Sequence, residues 1–234
     1  MNIMRKLLVG GHQGGGRGSA LSEEGGSQSS SQHTALGLMH MHKLFAELTH
    51  PSHPLTQQEQ EQRLYNMLPL FCKVFENSPA ADIVEKFSDV LAFSKLVSKL
   101  MVSEIRRRAS NQSTESASSA IAKFLEIEST EEQSRGWMLL TSINLLASGG
   151  PQLVEVMTSS ALPSTLVKCL YLFFDLPELK QPDHLEPHCE FTARERRILL
   201  QKVFVQVLVR LCSHAAPAEE LARKDDLTLL FSAI

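Results

Sequence analysis

Beyond residue 34, apolar residues recur three and four positions apart, and proline-bearing or polar stretches interrupt them at short intervals. That spacing puts them on one face of an α-helix. Leu38, Met41, Phe45 and Leu48 share a face in a first helix that Thr34 is placed to cap and that Pro51 and Pro54 end. Thr56-Gln57-Gln58-Glu59 has the form of a capping box. The helix it opens carries Leu64, Leu68, Phe71, Val74 and Phe75 to one side, and Pro69 within it predicts a kink near Tyr65 to Asn66, or a break. Residues 80–109 are helical throughout, with Ile83, Phe87, Val90, Leu91, Leu96, Leu100 and Ile105 in register. About 30 residues is long for a globular helix, so a break is expected near Ala92 to Ser94. A further helix over 114–127 buries Ile121, Phe124 and Leu125.

The most continuous apolar periodicity lies between Arg135 and Leu176, with the only Trp of the chain. Ser129-Thr130-Glu131-Glu132 is a second capping box, and the helix it opens presents Trp137, Leu140, Ile143, Leu146 and Ala147. Gly149-Gly150 stops that helix, and Pro151 and Pro163 each start a new one. Residues 176–191 hold three prolines and many charges and are expected to form an exposed loop. A third box, Thr192 to Glu195, opens a helix with Leu199, Val203, Val207 and Leu211 inward, followed by short helices at Pro217 and at Leu227 to Ile234.

Three stretches share one order of parts: apolar helix, small polar pair, proline, short helix and apolar helix. Their prolines, Pro79, Pro151 and Pro217, lie about 70 residues apart, wider than the about 40–47 of armadillo or HEAT units. The expected fold is all-α, an armadillo/HEAT-like helical solenoid over 34–234, with a disordered Gly/Ser-rich tail over 1–33. The last residues, LLFSAI, carry no polar closure, so an N-terminal fragment of a longer stack is expected, with an apolar end at Leu229 to Ile234.

Charge changes this picture little. With 23 basic and 26 acidic residues there is no global field to attract nucleic acid. The apolar run Leu7 to Val9 is too short for a signal segment, and no stretch reaches the about 18 apolar residues of a membrane span. Of Cys72, Cys169, Cys189 and Cys212, three sit in apolar helical patterns as small core residues, which suits a cytoplasmic location.

Candidate chemistry is sparse. His40, His42, His50 and His53 crowd one region, and His184, His188 and Cys189 another, but neither set has the convergent ligands of a metal site. No phosphate-cradling loop, metalloprotease helix or nucleophile elbow is found in a usable setting. Neither catalysis nor a cofactor is expected. Arg107-Arg108-Ala109-Ser110 has the form of a basophilic kinase substrate, which makes Ser110 a candidate phosphosite; the arginines also suit the negative end of a helix. Phe45 to Leu48 and Phe124 to Ile127 have the aromatic-x-x-aliphatic form that binds ubiquitin-like modifiers, but on helices their aromatics face the core.

The wording of several segments carries a resemblance. ALGLMH (Ala35 to His40), EKFSDVL (Glu85 to Leu91), LMVSEIRRRASNQSTE (Leu100 to Glu115), RGWMLLTSINLLAS (Arg135 to Ser148), PSTLVKCLYLFFDLP (Pro163 to Pro177) and LLQKVFVQVLVRLC (Leu199 to Cys212), with PAEELARKDDLTLLFSAI (Pro217 to Ile234), resemble the N-terminal region of the large WD-repeat, BEACH and FYVE scaffolds linked to autophagy. The Gly/Ser tail and residues 178–191 depart from that wording, which points to a paralogue or distant orthologue. The resemblance implies a non-enzymatic, armadillo-like scaffold in a cytoplasmic adaptor for selective autophagy of protein aggregates. Its implied partners are proteins, namely autophagy machinery and cargo receptors, met through the whole protein. Binding of phosphatidylinositol 3-phosphate is implied only for a FYVE domain outside this sequence. The alternative is a membrane-trafficking module linked to phosphoinositide-bearing membranes.

Overall fold

The computed structural model describes residues 26–110, 113–127, 134–170 and 191–223, and among these lie ten α-helices. They are α1 (Gly26–Thr49), α2 (Gln57–Phe75), α3 (Ala80–Lys86), α4 (Val90–Ser110), α5 (Thr114–Leu125), α6 (Arg135–Ala147), α7 (Pro151–Ser159), α8 (Leu162–Cys169), α9 (Ala193–Cys212) and α10 (Ala215–Arg223). Among the described residues there is no strand. The all-α expectation holds.

Local chemistry sets most of the boundaries. Thr56 accepts from the Glu59 amide while Glu59 accepts from the Thr56 amide, and Thr192 and Glu195 repeat the arrangement at α9. These bonds, from the Thr56 backbone first and its side chain second, hold the Glu59 carboxyl below its usual range. Gly150 sits at φ 115°, a conformation that favours glycine, and delivers the chain to Pro151 at the start of α7. Ala161, at φ 59°, makes the equivalent corner before α8.

The helices stack in two rows. In one, α2 lies between α1 and α6, and α6 lies between α2 and α9. In the other, α4, α7 and α10 follow one another, while α8 touches α4, α7, α9 and α10. The first two proline-marked stretches show the whole order, with α4 and α8 as their closing apolar helices; the closing helix of the third lies outside the described residues. Each stretch sets a long helix (α2, α6, α9) before a short one (α3, α7, α10), and the long helices stand side by side. This is a solenoid-like stack. The helix α5 is inserted between α4 and α6 and packs on both.

One core runs through both rows. Trp137, Leu140, Ile143 and Leu146 of α6 are buried, as are Leu199, Val203, Val207 and Leu211 of α9. Phe45, Phe71, Phe75, Phe87 and Phe93 form a fully dry aromatic cluster where α1, α2 and α4 meet. Each such ring removes about 150–250 Å² from water.

Several boundaries differ from expectation. Thr34 does not cap α1, which begins at Gly26 and so takes in the last eight residues of the expected tail. Once the Met41–Phe45–Leu48 face anchors the helix, extending it costs little per residue. Pro69 lies inside a continuous α2, with its ring exposed and only the Tyr65 carbonyl deprived of a donor. The break in the 80–109 stretch falls at Phe87 to Asp89 rather than at Ala92 to Ser94. Phe87, at φ −116° and ψ 91°, leaves helical geometry and inserts its ring into the aromatic cluster. Leu91, expected inward, is 42% exposed. Cys72 and Cys169 are buried, but Cys212 is exposed on the outer side of α9. The box at Ser129 to Glu132, residues 171–190, residues 224–234 and residues 1–25 lie outside the described residues.

Candidate interaction surface

The polar end of α4 is organised by one carboxylate. Glu104 is 3% exposed and is bonded by both Arg107 and Arg108, one turn further along the same helix. Spacings of three and four residues place these groups on one face. Arg108 also donates to the Glu104 carbonyl at 3.1 Å and lies over the Phe124 ring, 3.7 Å from its centroid. That stacking is a cation–π contact between α4 and α5. Partial burial lowers the pKa of Arg108 from its ordinary value, with Tyr65 pulling the other way.

The first turns of α2 and the start of α6 face this carboxylate. Arg107 lies 4.0 Å from Glu61. Arg135 donates to Gln62 at 2.8 Å and stands over the Tyr65 ring at 5.1 Å. The Tyr65 side chain is buried, and its hydroxyl has no hydrogen-bond partner among the described residues. Burial pushes its pKa up to about 12, against the pull of Arg108, Arg107 and Arg135. A cavity of about 410 Å³ opens here, lined by Gln57, Glu61, Gln62, Tyr65, Glu104, Arg107 and Arg135 among others.

A second groove of about 430 Å³ adjoins it and shares Gln57 and Glu61. Its floor is apolar, formed by Leu48 of α1, Leu64 of α2 and Leu96 and Leu100 of α4. Lys99, Gln60 and Ser103 stand at its rim. Both openings flank the amino-terminal turns of α2, which the Thr56 cap holds in place.

Other polar contacts act as staples. Glu126 meets Arg196 and Arg197 at 3.6 Å each, tying the end of α5 to the start of α9. Arg210 donates to the carbonyl and side-chain oxygens of Asn144 at 2.7 Å, and Asn144 donates to Gln206 at 2.9 Å. These bonds join α6 to α9. Cys72 lies within 3.3 Å of the Ser142 hydroxyl, and burial raises its thiol pKa.

Ser110 is the exposed last residue of α4, and its hydroxyl donates to the Arg107 carbonyl at 3.3 Å. The arginines expected to receive a phosphate there are held by Glu104. His42 is drawn to the core edge, against Phe87 at 5.4 Å and the Lys86 carbonyl at 3.3 Å. Among the described residues no group of three or more His, Cys, Asp or Glu side chains is arranged to hold a metal ion. His184, His188 and Cys189 lie outside those residues. Phe45 and Leu48 are buried, and Phe124 is half-buried beneath Arg108. The sequence reading missed Glu104, although its spacing to Arg107 and Arg108 is visible in SEIRRRAS.

Among the described residues no single helix is long and apolar enough to cross a membrane; α9 and α10 meet at a bend of 98°. No family model matches the chain. No solved structure matches it. It is 29% identical over 180 residues to WD repeat- and FYVE domain-containing protein 4 of Mus musculus, covering 77% of this chain and 5% of that protein. To the Homo sapiens protein of the same name it is 30% identical over 210 residues, covering 89% of this chain and 6% of that protein. The WD-repeat and FYVE parts of the resemblance read from the sequence agree with these matches. The chain is a distant relative of WD repeat- and FYVE domain-containing protein 4, of which it spans about a twentieth.

Proposed function

We propose that this chain is a non-enzymatic helical scaffold within a large cytoplasmic adaptor, and that it serves selective autophagy of protein aggregates by presenting its helical flank to other proteins. The observation that carries this reading is the pair of adjoining grooves on one flank of a solenoid-like stack. Stacked helices make extended surfaces suited to recognising peptides and other domains. Relationship to a far longer protein supports a role as one part of an adaptor. Autophagy machinery and cargo receptors are the partners this reading expects. Phosphoinositide recognition is assigned to a FYVE domain elsewhere in such a protein.

The test is removal of the coding segment for these residues from its locus, in cells that accumulate ubiquitin-positive aggregates. Slower aggregate clearance, with the rest of the protein still expressed, is the expected result. Unchanged clearance would overturn the aggregate role. Direct binding of the purified chain to vesicles containing phosphatidylinositol 3-phosphate would favour a membrane-trafficking module instead.

A further inference from the structure

The two grooves share Gln57 and Glu61 and so form one trough along the start of α2. Its halves differ in chemistry. One has the aliphatic floor of Leu48, Leu64 and Leu100 with Lys99 at the edge. The other is walled by Arg107 and Arg135. Three cations, Lys99, Arg107 and Arg135, line the trough with two carboxylates, Glu61 and Glu104. Arg107 is paired with both of them, while Lys99 and Arg135 have no carboxylate partner among the described residues, which leaves those two cations to the trough.

Three features narrow the occupant. Each opening falls within the roughly 300–1,000 Å³ of a ligand pocket, and the aliphatic half suits one branched apolar side chain. The amide of Gln60, at the rim, carries both a donor and an acceptor, the pair that a peptide backbone requires. Tyr65 holds a buried hydroxyl with no partner among the described residues, beside the guanidinium of Arg135. A buried unsatisfied donor is costly, and an acceptor oxygen brought to Arg135 is the group chemically suited to it.

We infer that this trough docks a short, extended acidic peptide segment of a partner protein. An aliphatic side chain enters the Leu48–Leu64–Leu100 half, and a nearby carboxylate bonds Arg135. The inference rests on the scaffold reading and names the chemistry of its partner. Charge complementarity selects the acidic segment, and the aliphatic floor selects a peptide over a bare anion.

The test uses the whole chain and a fluorescein-labelled peptide with blocked termini and the core Gly-Ser-Leu-Glu-Glu-Gly-Ser, followed by fluorescence anisotropy. Saturable binding that weakens with added salt is expected. Replacing both peptide glutamates by glutamine, or the leucine by alanine, weakens it about tenfold, a step of the size one good contact supplies. Arg135→Gln weakens it similarly, and Lys99→Glu, on the rim, provides a second variant that leaves the Glu104 cluster intact. Thermal unfolding of both variants is measured alongside. Equal binding of the glutamate and glutamine peptides, or no binding at millimolar concentration, overturns the inference. Displacement of the peptide by phosphatidylinositol 3-phosphate vesicles, or by inorganic phosphate alone, also overturns it, in favour of a lipid headgroup or a free anion respectively. If the peptide fails while deletion of the segment still slows aggregate clearance, this inference falls and the scaffold reading stands.

Discussion

The two ends of α4 solve opposite problems with the same helix. Towards its start, Phe93 is fully buried and meets Phe71 at 4.9 Å, Phe87 at 5.4 Å and Phe45 at 6.1 Å. Towards its finish, Glu104 is almost as deeply buried but is surrounded by guanidinium groups. The first end stabilises by taking apolar area out of water. The second gains little net energy, because the charge must first be desolvated. What it gains is placement: Glu104 holds Arg107 and Arg108, Arg108 covers Phe124, and the cationic wall of the trough stays in position. Stability sits at one end and surface chemistry at the other.

The largest test of that division is Phe93→Ala. It leaves a cavity among three rings and should cost about 3–5 kcal/mol in urea unfolding. A loss under about 1 kcal/mol would show that the cluster is not the stabilising end. Gly136→Ala comes next. A helical glycine usually gains up to about 1 kcal/mol on becoming alanine. Here the added Cβ would overlap the Phe124 carbonyl, so a loss of about 2–3 kcal/mol is expected as α5 and α6 are forced apart. Glu104→Gln should cost about 2 kcal/mol by leaving two guanidiniums without their carboxylate. A double substitution, Glu104→Met with Arg108→Met, should recover part of that loss, and full additivity would deny the coupling.

The smallest effect is a dependence on pH. The folded pKa of Tyr65 is raised to about 12 from 10.0, so folding favours the protonated phenol. Its contribution is complete below pH 10 and is lost as pH rises through about 12. Stability should therefore fall across that window, and Tyr65→Phe should flatten the fall. Denaturant unfolding at stepped alkaline pH reads this directly. Identical slopes for the parent and the variant would remove Tyr65 from the account.

Boundaries set by local chemistry were legible. Thr56 with Glu59, Thr192 with Glu195, Gly150 and Pro151 each act within a few residues, and each lies where the spacing placed it. Boundaries decided by distant partners were not. The 80–109 stretch keeps its apolar face with a break at either of two places, and the rings of Phe45 and Phe93 decide for Phe87. The exposure of Cys212 depends on which side of α9 faces solvent at its last turn, and the periodicity of Leu199 to Leu211 does not carry that far. The trough was invisible for a related reason. Leu48, Leu64 and Leu100 come from three helices, and each alone looks like an ordinary core leucine. The pairing of Glu104 with its arginines could be read from their spacing, but its burial comes from tertiary packing.

The position of α4 has a consequence for how the molecule comes apart. It touches α2, α5, α6, α7 and α8, so it is a wall common to neighbouring units. In an ideal repeat array each unit meets only its neighbours, and the array can melt inward from an end. Here, loosening α4 exposes the flanks of five helices together. Helices far apart in sequence, such as α2 and α8, are thereby bound into one foldon. A weakness introduced anywhere along α4 is felt across the stack as a lowering of one shared melting event.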